Sequence, residues 1–247
     1  MTSVVIAGPQ GGVSLVFLHD ASSNLAMWKP QLDILSAEFR CIAIDLPGHG
    51  ALQRSDFTLE GAVAEVADVL RHDAGGRAVL VGLSVGGYVG IATAAHHPEL
   101  VAGLVASGVG SRSSTPRVSR IQGRLLPIFG FLLKRPAAKA LRRIAPAETA
   151  TAIRDRGLSW RGAGDAMRDL AGRDMNALLR RYDGPVLVLL GERDAPNIDG
   201  APQLVAGVPT AEIEILPDAG HSCSLSQPEE FSLAVRDFVR RTQAPPV

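Results

Sequence analysis

The stretch AVLVGLSVGGYVGIATAAHHP, residues 78–98, sets a single hydroxyl, Ser84, between an unbroken apolar run and the glycines Gly82, Gly86 and Gly87. A short Val- and Leu-rich run reads as a buried strand, and the segment from Val85 to His97 reads as a helix. Ser84 therefore falls on the strand-to-helix turn. In the spacing Gly-x-Ser-x-Gly this turn is so tight that side chains two positions to either side collide with the neighbouring strand and helix, and only small residues fit. Such a turn lifts the hydroxyl to the carboxyl edge of a sheet, where backbone N–H groups and the positive end of the next helix suit an oxyanion. The plainer reading is a glycine-rich turn with a capping serine.

Five further runs share the strand character: GVSLVFLH at 12–19, RCIAIDL at 40–46, LVAGLVAS at 100–107, GPVLVLLG at 184–191 and AEIEIL at 211–216. Helical patterns lie around Met27 to Ala37, Leu59 to His72, Val85 to His97 and Pro228 to Arg241. Strand and helix in alternation predict an α/β fold, a doubly wound and mostly parallel sheet.

The 247 residues carry 25 basic and 25 acidic side chains, yet the balance is uneven along the chain. Between Ser111 and Arg181 there are 16 Lys and Arg against 5 Asp and Glu, which leaves 9 basic and 20 acidic residues elsewhere. This predicts a helical, basic insertion at 111–181 within a body made of 1–110 and 182–247. A hydrophobic content of 46% suits a well-buried globular chain. Two cysteines, Cys41 and Cys223, suggest no disulfide framework. The start MTSVVIAGPQGG does not read as a signal peptide, and no run reaches the roughly 18 apolar residues of a membrane span. A cytoplasmic location is expected.

A serine hydroxyl is a poor nucleophile until a base takes its proton, so the turn demands a histidine and an acid from other loops. Asp194, in LLGERDAPN, follows the strand GPVLVLLG; His221, in LPDAGHSCSLS, follows AEIEIL. Both lie at carboxyl ends of strands, which in a parallel sheet share one edge with Ser84. The order Ser, Asp, His is the one expected for such an elbow. Taken singly, His221 reads as a surface loop histidine and Asp194 as a helix cap; together and in order they read as a triad.

With LHDASS from residue 18, DLPGHG at 45–50, GLSVGG, GERD and AGHS, the sequence resembles the α/β-hydrolase fold family over nearly all of the chain outside the basic segment. The resemblance implies Ser84 as nucleophile, His221 as base, Asp194 as the group that orients the imidazole, and the basic segment as a cap. It also implies an oxyanion hole from the N–H groups of Val85 and Ala21. Where the family commonly has His-Gly, this chain has His19-Asp20. A carboxylate about 4 Å from a developing oxyanion opposes it by roughly 4 kcal/mol at an effective dielectric near 20, so Asp20 is expected to point away or to bond within its own loop.

Trp28 and Trp160 are candidates for pocket walls, with core packing the rival reading for Trp28; Asp20 and Cys223 join them as candidate substrate contacts. His49 in the PGHG turn and His19 at a strand end read as structural. No metal-ligand spacing and no dinucleotide or phosphate loop is present, so neither metal nor cofactor is expected. The cap sequence RIQGRLLPIFGFLLKRPAAKALRRI can form an apolar face opposite a basic one, suited to a substrate roof, a membrane surface or simple pairing with the acidic body. The expected partner is a small-molecule substrate; nucleic acid and membrane are not expected, and oligomeric state stays open. The expected activity is hydrolysis of a small carboxylic ester or enol lactone through an acyl-enzyme. Its rivals are a C–C bond hydrolase or lyase on the same scaffold, and a triad-bearing ligand receptor with slow turnover.

Overall fold

The computed structural model describes residues 2–111 and 116–243. The chain runs β1 (Val4–Ala7), β2 (Ser14–Leu18), α1 (Lys29–Leu35), β3 (Arg40–Ile44), α2 (Leu59–His72), β4 (Ala78–Leu83), α3 (Val85–His96) and β5 (Val101–Ser107). Among the described residues four helices follow without an intervening strand: α4 (Pro116–Ile144), α5 (Ala147–Arg156), α6 (Trp160–Asp169) and α7 (Met175–Leu179). The alternation then resumes with β6 (Val186–Gly191), α8 (Ala195–Leu204), β7 (Ala211–Leu216), α9 (Cys223–Ser226) and α10 (Pro228–Gln243). Residues 112–115, where the expected insertion opens, lie outside the described residues.

Among the described residues seven strands form one sheet in the order β1-β3-β2-β4-β5-β6-β7, and only the β1–β3 pair is antiparallel. β2, β4, β5 and β6 are buried along their whole length because helices cover both faces, which is why their sequences are continuous apolar runs without alternation. Two apolar cores result, one on each side of the sheet: α2 and α3 supply the first, and α1 and α10 the second. α3 lies deepest, with Tyr88, Val89, Ile91 and Ala92 all buried. β1 is the strand that the sequence pattern missed. VVIA is four residues long and only half-buried, and its pairing with β3 depends on a partner far along the chain.

Strand order reverses between β2 and β4, so the chain leaves the sheet at this point in opposite directions. Ligands of open α/β sheets bind in the crevice beyond such a point, and it is here that β2 ends in His19-Asp20 and β4 ends at Ser84.

Candidate active site

Ser84 caps α3 with φ +54 and ψ −113, a conformation that costs a non-glycine residue on the order of 1–3 kcal/mol. Its N–H donates to the Ser107 carbonyl at 2.8 Å, and its carbonyl accepts from Tyr88 N at 3.0 Å, so the turn is pinned from β5 and from the helix. A methyl group at Gly82 would strike the backbone of Gly86, and one at Gly86 would strike the Leu18 carbonyl. The glycines therefore let strand, helix and β2 close around the serine, which remains only partly exposed.

Asp194 caps α8 beyond β6, and His221 stands in the loop beyond β7, both at the edge that carries Ser84. His221 Nδ1 lies 2.8 Å from Asp194 Oδ2; the carboxylate side chain is 7% exposed and the imidazole 44%. That contact makes Nδ1 the protonated nitrogen and leaves Nε2 as the basic one. Among the described residues no hydrogen bond joins Nε2 to the Ser84 hydroxyl. Catalytic hydrogen bonds of ligand-free sites are commonly long and tighten with substrate.

Two residues that sequence reasoning passed over complete this arrangement. The Asn197 amide donates to Asp194 Oδ2 at 2.8 Å, one helical turn along α8, a position that the i,i+3 spacing in DAPN permits. Gly108, at φ +59 beyond β5, supports the imidazole: a methyl there would sit 2.9 Å from His221 Cε1. No local signal marks Gly108, because the ring it faces belongs to a loop more than a hundred residues away.

The other half of the site is the loop after β2. Asp20 Oδ1 accepts the N–H groups of Ser22 and Ser23, each at 3.0 Å, so the carboxylate is engaged within its own loop. His19, fully buried, accepts the Leu46 N–H on Nε2 at 2.9 Å, while its Nδ1 lies 2.7 Å from the Asp20 carbonyl. Burial, then the His49 ring and Arg156, push its pKa well below the ordinary 6.5. His49 Nε2 lies 2.7 Å from the Ala21 carbonyl, which fixes that peptide. Neither the Ala21 nor the Val85 N–H is taken by a protein acceptor among the described residues.

A cleft of about 180 Å³ opens here, with Asp20, Ser23 and Ser222 on the body side and Ala140, Leu141 and Leu158 on the helical side. A second cavity of about 240 Å³, between α4 and α5, shares Leu141 and Leu158 with it and is lined by Trp160. Two candidate contacts are corrected. Trp28 is fully buried in the core, its ring 5.3 Å from Phe17 and 5.9 Å from Phe231, because its short helical turn packs against the sheet and α10. Cys223 is also fully buried, its sulfur 3.4 Å from the Ser107 hydroxyl, and burial raises its thiol pKa.

The helices between β5 and β6 are tied to this loop. The Asn24 amide donates to the carbonyls of Ile153 and Gly157, each at 3.0 Å, and Ser159 N donates to Ser22 O at 3.1 Å. Arg156 reaches Asp45 Oδ2 at 2.6 Å, and this carboxylate, fully buried, also accepts the N–H groups of Leu25 and Ala51, each at 2.8 Å. Asp45, first residue of DLPGHG, is thus the hub joining loop, sheet and insertion.

Fold and site together define a hydrolase of the α/β class. Residues 15–234 match the model of the Alpha/beta hydrolase family, and the chain belongs to that family. It is 31% identical over 256 residues to the dihydrolipoyllysine-residue acetyltransferase component of the acetoin cleaving system of Pseudomonas putida, covering 95% of this chain and 65% of that protein. The chain therefore spans just under two thirds of that relative's length. It is 29% identical over 253 residues to the pimeloyl-[acyl-carrier protein] methyl ester esterase of Nitrosomonas europaea, covering 94% of this chain and 97% of that one. With 3-oxoadipate enol-lactonase 2 of Acinetobacter baylyi it shares 26% identity over 239 residues, covering 92% and 89%. The crystal structure of the enol-lactonase from Burkholderia xenovorans LB400 superposes with a TM-score of 0.82 at 24% identity, covering 96% of this chain and 95% of that one, and so shares the fold. The chain is a hydrolase, with esterases and a lactonase among its relatives.

Proposed function

We propose that the chain cleaves a small carboxylic ester or enol lactone through an acyl-enzyme formed on Ser84. One observation carries this reading: His221 Nδ1 is held 2.8 Å from Asp194 Oδ2 at the sheet edge where Ser84 is kept at φ +54. The Ser84 oxygen attacks the carbonyl carbon as its proton passes to His221 Nε2. The N–H groups of Val85 and Ala21 hold the tetrahedral oxygen. The imidazolium, stabilised by Asp194, returns the proton to the leaving alkoxide or enolate, and water then repeats the sequence to free the acid. Asn197 positions the Asp194 carboxylate, and the loop bond of Asp20 keeps its charge engaged while the oxyanion develops. The relatives that act on a methyl ester and an enol lactone support this substrate class, since both reactions are acyl transfer to water.

Replacing Ser84 by Ala tests the reading on short-chain aryl esters. Turnover is expected to fall by about 10³-fold or more with an unchanged circular dichroism spectrum. Turnover equal to that of the parent would refute the assignment.

A further inference from the structure

α4 presents a face that the other described residues do not cover. Ile121, Leu125, Ile128, Phe129, Leu132 and Leu133 are exposed by 40% to 61%, at spacings of three, four, seven and eight that place them along one side of the helix. The row runs for about 18 Å. The opposite side is committed: Gly123 and Gly130 are buried, closely approached by Gly164 and Trp160 of α6. Beside the row, Leu125, Phe129, Leu132 and Leu133 join Met167 of α6 around an apolar groove of about 510 Å³.

The charge on this helix matches one kind of surface. Its sequence holds eight Lys and Arg and no Asp or Glu. Arg120, Arg124 and Arg135 flank the apolar row on one side, all exposed, and none of them is ion-paired among the described residues. We propose that this face docks on an anionic lipid bilayer, with the apolar row at the level of the acyl boundary and the arginines among the headgroups. The acidic remainder of the chain, 20 acids against 9 bases, is repelled by the same surface, which fixes the orientation of the molecule on it. A second copy of this chain, docked helix to helix, would oppose eight basic residues to eight, which disfavours it as occupant. The sequence reading held a membrane surface as one of three uses of this face without expecting a membrane partner, and docking of this kind needs no spanning segment. The C-terminal turns of α4, beyond the apolar row, wall the cleft beside Asp20 and Ser222.

Docking does not depend on the catalytic assignment, and its test reads no activity. The full chain is sedimented with vesicles of phosphatidylcholine containing about 30 mol% phosphatidylglycerol, and with vesicles of phosphatidylcholine alone. Binding is expected on the anionic vesicles, weakened about tenfold or more by raised salt and by the triple change Leu125→Ser, Phe129→Ser, Leu132→Ser. Arg120→Gln, Arg124→Gln, Arg135→Gln is expected to weaken it similarly, which keeps the test decisive if the serine variant fails to fold. Failure to sediment with anionic vesicles, or sedimentation unaltered by both variants, overturns the proposal. So does a dimer in vesicle-free solution that the serine changes abolish, or polyglutamate binding tighter than vesicle binding and indifferent to those changes.

Discussion

Along α5–α7 three arginines reach acids of the body, while Arg154 and Arg168 pair within the segment: Arg156 meets Asp45, Arg161 meets Asp56, and Arg173 meets Glu60 at 2.9 Å. In α4, by contrast, none of the described side chains of Arg120, Arg124, Arg135, Lys139, Arg142 and Arg143 finds an acid among the described residues. The same residue type thus does two jobs within one basic segment. In the first region it fastens the inserted helices onto the segments of the body that carry Asp45, Asp56 and Glu60. In the second it charges an outward surface. The positive charge of the whole segment does not distinguish these roles; the position of the acids does.

The largest effect is expected on breaking the fastened half. Arg156→Met leaves the fully buried Asp45 carboxylate without its cation, a loss of about 3–5 kcal/mol, read as a melting-temperature drop on the order of 10 °C. A variant that melts with the parent would show that this pair does not hold the segment. Asn24→Ala removes the donor from two carbonyls of α5 and its exit, a loss of about 1–3 kcal/mol. It is also expected to lower kcat more than it raises KM, because the loop that would hold the oxyanion loosens.

Acidification probes the same loop more gently. His19 is neutral in the fold because its pKa lies well below 6.5, whereas the unfolded chain takes up a proton as pH falls through 6.5. The unfolded state then binds more protons, so stability is complete above this value and declines below it. Melting temperature is expected to fall between about pH 7 and pH 5, with a shallower slope in His19→Asn; parallel slopes would remove His19 as the cause. The smallest effect is expected in the outward half. Arg124→Gln and Arg135→Gln should leave stability within about 0.5 kcal/mol of the parent, and a larger loss would mean that α4 is fastened by its charges after all.

The fold was legible where the signal is local. Continuous apolar runs name the buried strands, and the glycines at 82 and 86 announce a turn with no room for side chains, whichever partners surround it. The edge carrying Ser84, Asp194 and His221 was legible too, since parallel strands share one carboxyl edge whatever their order. What escaped depends on distant partners. β1 needs β3 to become a strand, and Asp45 becomes a hub only when Arg156 arrives from the inserted helices. Trp28 and Cys223 stood open between pocket and core, and the core reading holds, because closeness along the chain to a loop says nothing about which way a side chain faces. Trp28 turns into the core, and Cys223 turns toward Ser107.

On the proposed reading, folding makes one partly exposed alcohol, Ser84, nucleophilic through His221. Labelling the intact chain with a fluorophosphonate and mapping the adduct by mass spectrometry tests it most directly. A single adduct on Ser84, lost in His221→Ala while the melting temperature holds, is the predicted result. An adduct on another residue, or undiminished labelling of Ser84 without His221, would contradict it.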